Sequence, residues 1–152
     1  MKAALTLALL LSCSAGPAWA VSPRVGLVAG DPVALSLSLE LTPYVSLELG
    51  AGWSPSERRG AVLSLDALAI WPSVLPDLFG GGIDARAGLG ARLASSREIG
   101  RDVIPGLRVP VALAFVSDAR RWEIFGALAP GADFGARARL SLEGGLGFRA
   151  WF

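Results

Sequence analysis

From residue 21 onward the sequence predicts an all-β protein, an eight-stranded antiparallel up-and-down β-barrel, and three observations carry that expectation. Apolar residues alternate with small or polar ones at a period of two, and turn-forming residues divide the chain into eight segments. No segment beyond residue 20 approaches the roughly 18 consecutive apolar residues of a spanning helix. An even strand count lets an antiparallel sheet close on itself and leave no unpaired edge.

The first segment, about Arg24 to Ala29, ends at the turn-forming Gly30-Asp31-Pro32. The second, Val33 to Leu41, sets Leu35, Leu37, Leu39 and Leu41 against Ser36, Ser38 and Glu40, an alternation that no single helix face reproduces. Thr42-Pro43 turns the chain into the third, Tyr44 to Trp53, where Val45, Leu47, Leu49 and Trp53 oppose Ser46, Glu48, Gly50 and Gly52. A polar loop, Ser54 to Gly60, precedes the fourth segment, Ala61 to Trp71, with Ser64 and Asp66 on its inner parity. The Pro-rich link Pro72 to Gly82 then leads to the fifth, Ile83 to Leu93, which alternates Asp84, Arg86, Gly88, Gly90 and Arg92 with Ile83, Ala85, Ala87, Leu89, Ala91 and Leu93.

After the charged loop Ala94 to Gly106, the sixth segment, Leu107 to Val116, sends Arg108 inward and Leu107, Val109, Val111, Leu113 and Phe115 outward. Pro110 has no N–H to give a ladder, so a bulge or a locally open ladder is expected there. Ser117 to Arg121 turns into the seventh, Trp122 to about Ala129, and Pro130 to Gly135 leads into the eighth. That last segment places Leu140, Leu142, Leu146, Phe148, Ala150 and Phe152 on one face and Arg139, Ser141, Glu143, Arg149 and Trp151 on the other. With the chain starting on the periplasmic side, the outer loops fall near Gly30 to Pro32, Ser54 to Gly60, Ala94 to Gly106 and Gly131 to Ala136.

Strand parity sorts the charges. Glu40, Glu48, Asp66, Asp84, Glu123 and Glu143 fall on the inner face together with Arg86, Arg92, Arg108, Arg139 and Arg149, and none falls on the apolar face. An arginine facing the middle of a bilayer costs about 2–4 kcal/mol, whereas one inside can meet a carboxylate. The pattern therefore reads as a transmembrane barrel whose interior is a packed ion-pair network, since eight strands enclose little more than their own side chains. Trp53, Trp71, Trp122, Trp151 and Tyr44, near strand ends, read as interfacial girdles. Alternation alone is equally compatible with the reverse polarity, a soluble lipocalin-like barrel with a leucine core that binds a ligand.

The amino terminus supplies an address. Lys2 precedes an apolar stretch, Ala3 to Leu11, then Gly16-Pro17 and the small-x-small Ala18-Trp19-Ala20, the layout of a signal peptide cleaved after Ala20. This leaves residues 21–152 as a single barrel domain. Cys13 is the only cysteine, so the cleaved chain has no disulfide; the rival reading is lipidation of Cys13, against which the bulky Leu11 counts.

The stretches Gly26 to Pro32, Gly106 to Phe115, Trp122 to Phe125 with Ala129-Pro130, and Gly144 to Phe152 resemble a group of small bacterial outer-membrane β-barrel proteins, eight-stranded in the manner of outer-membrane proteins A and W. The resemblance covers most of the chain after residue 20. It implies the fold, a place in the outer membrane of a bacterial cell, and outer-membrane lipids as surroundings. A final strand closing on an aromatic residue also resembles the recognition strand of such barrels, which implies that Phe148 and Phe152 form an assembly signal read by the barrel-assembly machinery. The resemblance carries over no catalytic residue.

Chemistry is scarcely legible. The chain contains no histidine, the usual base for activating serine and the commonest metal ligand. Gly80-Gly81-Gly82 and Gly144-Gly145-Leu146-Gly147 follow no phosphate-binding or dinucleotide pattern. Fourteen basic against thirteen acidic residues, without a basic run, exclude a nucleic-acid footprint. No catalytic site, cofactor or metal is expected; the expectation is a monomeric structural or surface-interaction protein, with a narrow, porin-like channel or a transporter of small or apolar solutes as the alternative. Mass spectrometry of the mature protein is expected to find Val21 at its amino terminus, and a diacylated Cys13 would instead establish the lipoprotein reading.

Overall fold

The computed structural model describes residues 22–55, 59–75, 80–96, 103–117, 119, 121–135 and 138–152, so the expected signal peptide lies outside the described residues. The chain is all-β, with no helix among the described residues. Nine strand segments follow one another: β1 (Ser22–Asp31), β2 (Val33–Thr42), β3 (Val45–Trp53), β4 (Arg59–Leu75), β5 (Gly81–Ser96), β6 (Val103–Arg108), β7 (Val111–Ser117), β8 (Trp122–Phe134) and β9 (Ala138–Trp151). Strands consecutive in the chain pair antiparallel, except β6 with β7, and β1 pairs with β9. The sheet thus closes into a ring of eight strand positions, because β6 and β7 share one place between β5 and β8.

The interruption between β6 and β7 is the consequence of Pro110. Gly90 lies opposite Arg108 and Ala87 opposite Val111, three residues on along each strand, so no residue is gained or lost across the gap. The ladder loses hydrogen bonds there without a change of face. Gly88 N–H still donates to the Pro110 carbonyl at 3.0 Å, and Val109 N–H to the Pro130 carbonyl at 2.8 Å. Neither proline can return a bond from its own nitrogen. The expected open ladder is therefore present, and the expected bulge is not.

Three connections are shorter than the turn residues imply. The two ends of the Pro72 to Gly82 link are strand, residues 76–79 lying outside the described residues: β4 runs to Leu75, and Leu75 pairs with Ile83 beyond an irregularity after Trp71. Asp84 makes this possible, its Oδ1 accepting the Ser73 N–H at 2.9 Å where the ladder is interrupted. Pro130 to Phe134 likewise continues β8, because a proline carbonyl still accepts and Pro130 lies opposite Leu142 in the β8–β9 register. Between β5 and β6 the chain is paired to Ser96 and again from Val103. Residues 97–102 and 56–58, within the expected loops, lie outside the described residues.

The ring fixes which face is inside. Arg86, Arg92, Glu123, Glu143 and Arg149 are buried, whereas every ring position carries an outward apolar side chain more than a third exposed: Leu27, Leu35, Leu49, Leu65, Leu89, Leu113, Ile124 and Leu146. Trp53, Trp71 and Trp122 also stand outward and exposed, and Tyr44, exposed in the turn after β2, borders a recess at the end of the ring with Arg24 and Glu40. Trp151 departs from the girdle expectation: it points inward, with the Arg24 guanidinium 4.4 Å from its ring centre. Because the ladder closes on itself and has no edge from which to fray, the unheated, detergent-folded protein is expected to migrate differently in gel electrophoresis from the boiled protein; identical migration would contradict a closed ring.

Candidate functional site

The only place where chemistry-bearing groups converge among the described residues is the interior of the ring, and they converge there as two groups. The first lies toward the terminal end of the ring, where β1 begins and β9 ends. Glu123, fully buried, is its centre: Oε2 accepts from Arg24 Nη1 at 2.8 Å and from Arg86 Nη2 at 2.6 Å, and Oε1 accepts from Arg149 Nη1 at 3.0 Å. Glu48 receives both Nη groups of Arg149, at 2.7 and 2.5 Å, and Arg24 also pairs with Glu40. Phe125 closes the group from the side, with the Arg149 guanidinium 4.0 Å from its ring centre.

The second group lies toward the opposite end. Arg108 donates from Nε to Asp66 Oδ1 at 2.8 Å, from Nη2 to Asp66 Oδ2, and from Nη1 to Glu143 Oε2 at 2.8 Å. Arg92 binds Glu143, Ser141 and Asp133, the last through Nε at 2.9 Å. Two-toothed guanidinium–carboxylate bonds of this kind are the strongest side-chain hydrogen bonds available to a protein.

Glycines make room for these pairs. Asp66, Gly90 and Arg108 stand in one row across β4, β5 and β6, so the ion pair spans a residue with no side chain. A Cβ at Gly90 would lie 1.7 Å from Asp66 Oδ1. The same device recurs with Arg92, Gly106 and Asp133 across β5, β6 and β8, and with Arg149, Gly26 and Ser36 across β9, β1 and β2. In each row two side chains two strands apart bond over the gap.

Of the residues assigned to the interior from parity, the structure brings together Glu40, Glu48, Asp66, Arg86, Arg92, Arg108, Glu123, Glu143 and Arg149. Two stand apart. Asp84 is half-buried near the terminal end and serves backbone Ser73, and Arg139, although on the inner parity, is exposed at the opposite rim across from Asp133. Arg139 lies beyond the level at which the ring encloses its side chains, and this corrects its placement. Two members were missed: Arg24, whose parity in β1 would have found it, and Asp133, hidden because Pro130-Gly131 reads as a turn. Phe148 and Phe152 both face outward and are exposed.

Between the two groups lies a cavity of about 90 Å³, bordered by Glu48, Asp66, Arg86, Arg108, Glu143 and Arg149 on its polar side and by Ala34, Leu68, Pro110, Ala112 and Phe125 on its apolar side. A more polar recess of about 230 Å³ opens at the terminal end against Arg24, Glu40, Asp84 and Trp151. No group of histidine, cysteine and carboxylate residues suited to holding a metal ion occurs among the described residues. The arrangement is built to neutralise charge: each carboxylate named in the two groups meets a guanidinium, which leaves no acid and base poised toward a shared substrate position.

Comparison with protein-family models, with curated proteins and with solved structures gave no match in any of the three. The residues themselves therefore carry the functional argument.

Removing one partner from a buried ion pair costs about 3–5 kcal/mol, because the other charge is left uncompensated. Glu123→Ala strands charge on three arginines and is expected to destabilise by that amount in denaturant unfolding of the refolded protein. Asp84→Ala, which removes one bond to the backbone near the rim, is expected to cost about 1 kcal/mol. Equal effects would show that Glu123 is not the centre of the interior network.

Proposed function

We propose that this chain is a small eight-stranded β-barrel of the bacterial outer membrane, with a structural or surface-interaction role and an interior filled by ion pairs. One observation carries the reading: the polarity of the fold is inverted, with five of its arginines buried or largely buried inside while each ring position presents apolar side chains outward. In water that arrangement exposes leucines and pays to bury charge; in a bilayer both faces meet the surroundings they need. Strands β1, β2 and β3, of 10, 10 and 9 residues, match the roughly 9–11 residues that a tilted strand needs to cross the hydrocarbon.

Outward Trp53, Trp71 and Trp122 near strand ends, and exposed Tyr44 in the turn after β2, suit the two interfaces. The resemblance of four stretches to small outer-membrane barrels supports the same compartment, with the final strand and its Phe148 and Phe152 recognised by the assembly machinery. A soluble, lipocalin-like ligand-binding barrel is the weaker reading, since it needs the leucines inside. The paired interior favours a monomeric structural protein over an open pore.

Partition of the folded protein between detergent and buffer tests the membrane reading. It is expected to require detergent, and Leu89→Arg, which places a charge on the outward face, is expected to cost about 2–4 kcal/mol if Leu89 lies near the midplane. A monodisperse protein in plain buffer would overturn the reading. In planar bilayers no large, steady conductance is expected, and a stable ion-selective one that changes on neutralising Arg108 would favour the channel alternative.

A further inference from the structure

The wall of the ring lacks two ladder hydrogen bonds where it separates the interior cavity from a groove on the outer face. Val109 N–H bonds to Pro130 and Gly88 N–H bonds to Pro110, but neither proline has an N–H to give back. Each contact keeps one ladder bond where an ordinary hydrogen-bonded antiparallel pair has two. Pro110 therefore loosens the junction with β5, and Pro130 loosens the junction between β6 and β8, at the same height in the wall.

Both faces of this spot are hollow. Pro110, Ala112 and Ala129 border the 90 Å³ cavity inside, while Val109, Pro130 and Phe134 border an apolar groove of about 900 Å³ outside, together with Leu107, Leu140 and Leu142. Arg108 borders both. On the inner side the lining residues next to Pro110 are small: Ala112 and Ala129 put little side-chain bulk in the way.

We propose that the wall at Val109-Pro110 and Pro130 is a side entry through which a small, uncharged, apolar solute passes from surrounding lipid into the interior cavity. The proposal rests on the membrane reading above. The class of solute follows from the lining. Arg108, Arg149 and Arg86 are held by Asp66, Glu48 and Glu123, so a charged guest would have to break an ion pair to be received. An uncharged guest has the wall of Pro110, Ala112, Phe125 and Ala129 to lie against. Apolar cavities of about 150 Å³ take up benzene or xenon, which sets the scale of guest at a few heavy atoms.

Benzene is the probe, titrated into detergent-folded protein with labelled alanine methyls. The methyls of Ala112 and Ala129 are expected to shift saturably, while outward Ala67 shifts linearly as the probe partitions into the micelle. Joining β6 to β8 beside the gap with a Leu107→Cys/Ala132→Cys disulfide, which leaves both prolines in place, is expected to slow probe exchange at least tenfold, and reduction to restore it. Linear behaviour at Ala112 and Ala129 would overturn the binding, and equal exchange with the disulfide open and closed would overturn the side entry. If the disulfide variant does not fold, hydrogen exchange on the unaltered chain decides: the Val109 and Gly88 amides are expected to exchange at least tenfold faster than Leu37 and Leu49 in the regular part of the β2–β3 ladder, and equal protection sinks the proposal. Failure of the membrane reading is seen separately, as solubility without detergent before any probe is added.

Discussion

Guanidinium groups inside a narrow ring must find carboxylates within reach, and the rest of this structure is arranged around that requirement. A charge taken out of water carries a penalty of several kcal/mol, which only close, well-oriented partners offset. Glu123 meets the requirement for three arginines at once, from β1, β5 and β9. Its bonds tie strands far apart in sequence to a single point, with Arg24 and Glu123 separated by 99 residues. The ion pairs therefore act as cross-braces to a ladder whose backbone bonds join only neighbours.

The spacing of glycines follows from the same requirement. Neighbouring strands lie about 4.8 Å apart, so a direct bond between side chains two strands apart must cross roughly twice that distance. A side chain on the intervening strand would stand in the way. Gly90, Gly106 and Gly26 remove it, and arginine, the longest side chain with a planar fork, bridges the remainder. Glycines that look in sequence like weak strand formers are thus where the interior network passes from strand to strand.

Functionally, a neutralised interior is a poor place for acid–base chemistry, since carboxylates and guanidiniums spend their bonding capacity on each other. The prolines offer a different opportunity. Pro110 and Pro130 take donors from two junctions of the wall without altering its register, so the barrier is locally weaker while every side chain keeps its face. A proline in a closed sheet is normally a fault to be tolerated; here two lie at one level, and Pro110 borders the cavity beside Ala112 and Ala129.

Much of this was legible in the chain. Period-two alternation identifies the strands and sorts almost all the interior charges, because parity survives errors of a few residues at either end of a strand. It failed where a residue's local preference differs from its use in the ladder. Pro72, Pro130 and the residues after them read as turns, yet Asp84 holds the Ser73 N–H and the Pro130 carbonyl accepts the Val109 N–H, so β4 and β8 run on and Asp133 enters the network. Arg139 obeys parity but stands at the rim, where facing inward no longer means being enclosed. By itself the sequence determined the strands, their alternation and the segregation of charge from apolar bulk, all of them local periodicities. Only the closed ring decided which face is inside, which arginine meets which carboxylate and where the wall is weak, because each depends on the register of strands brought together from distant parts of the chain.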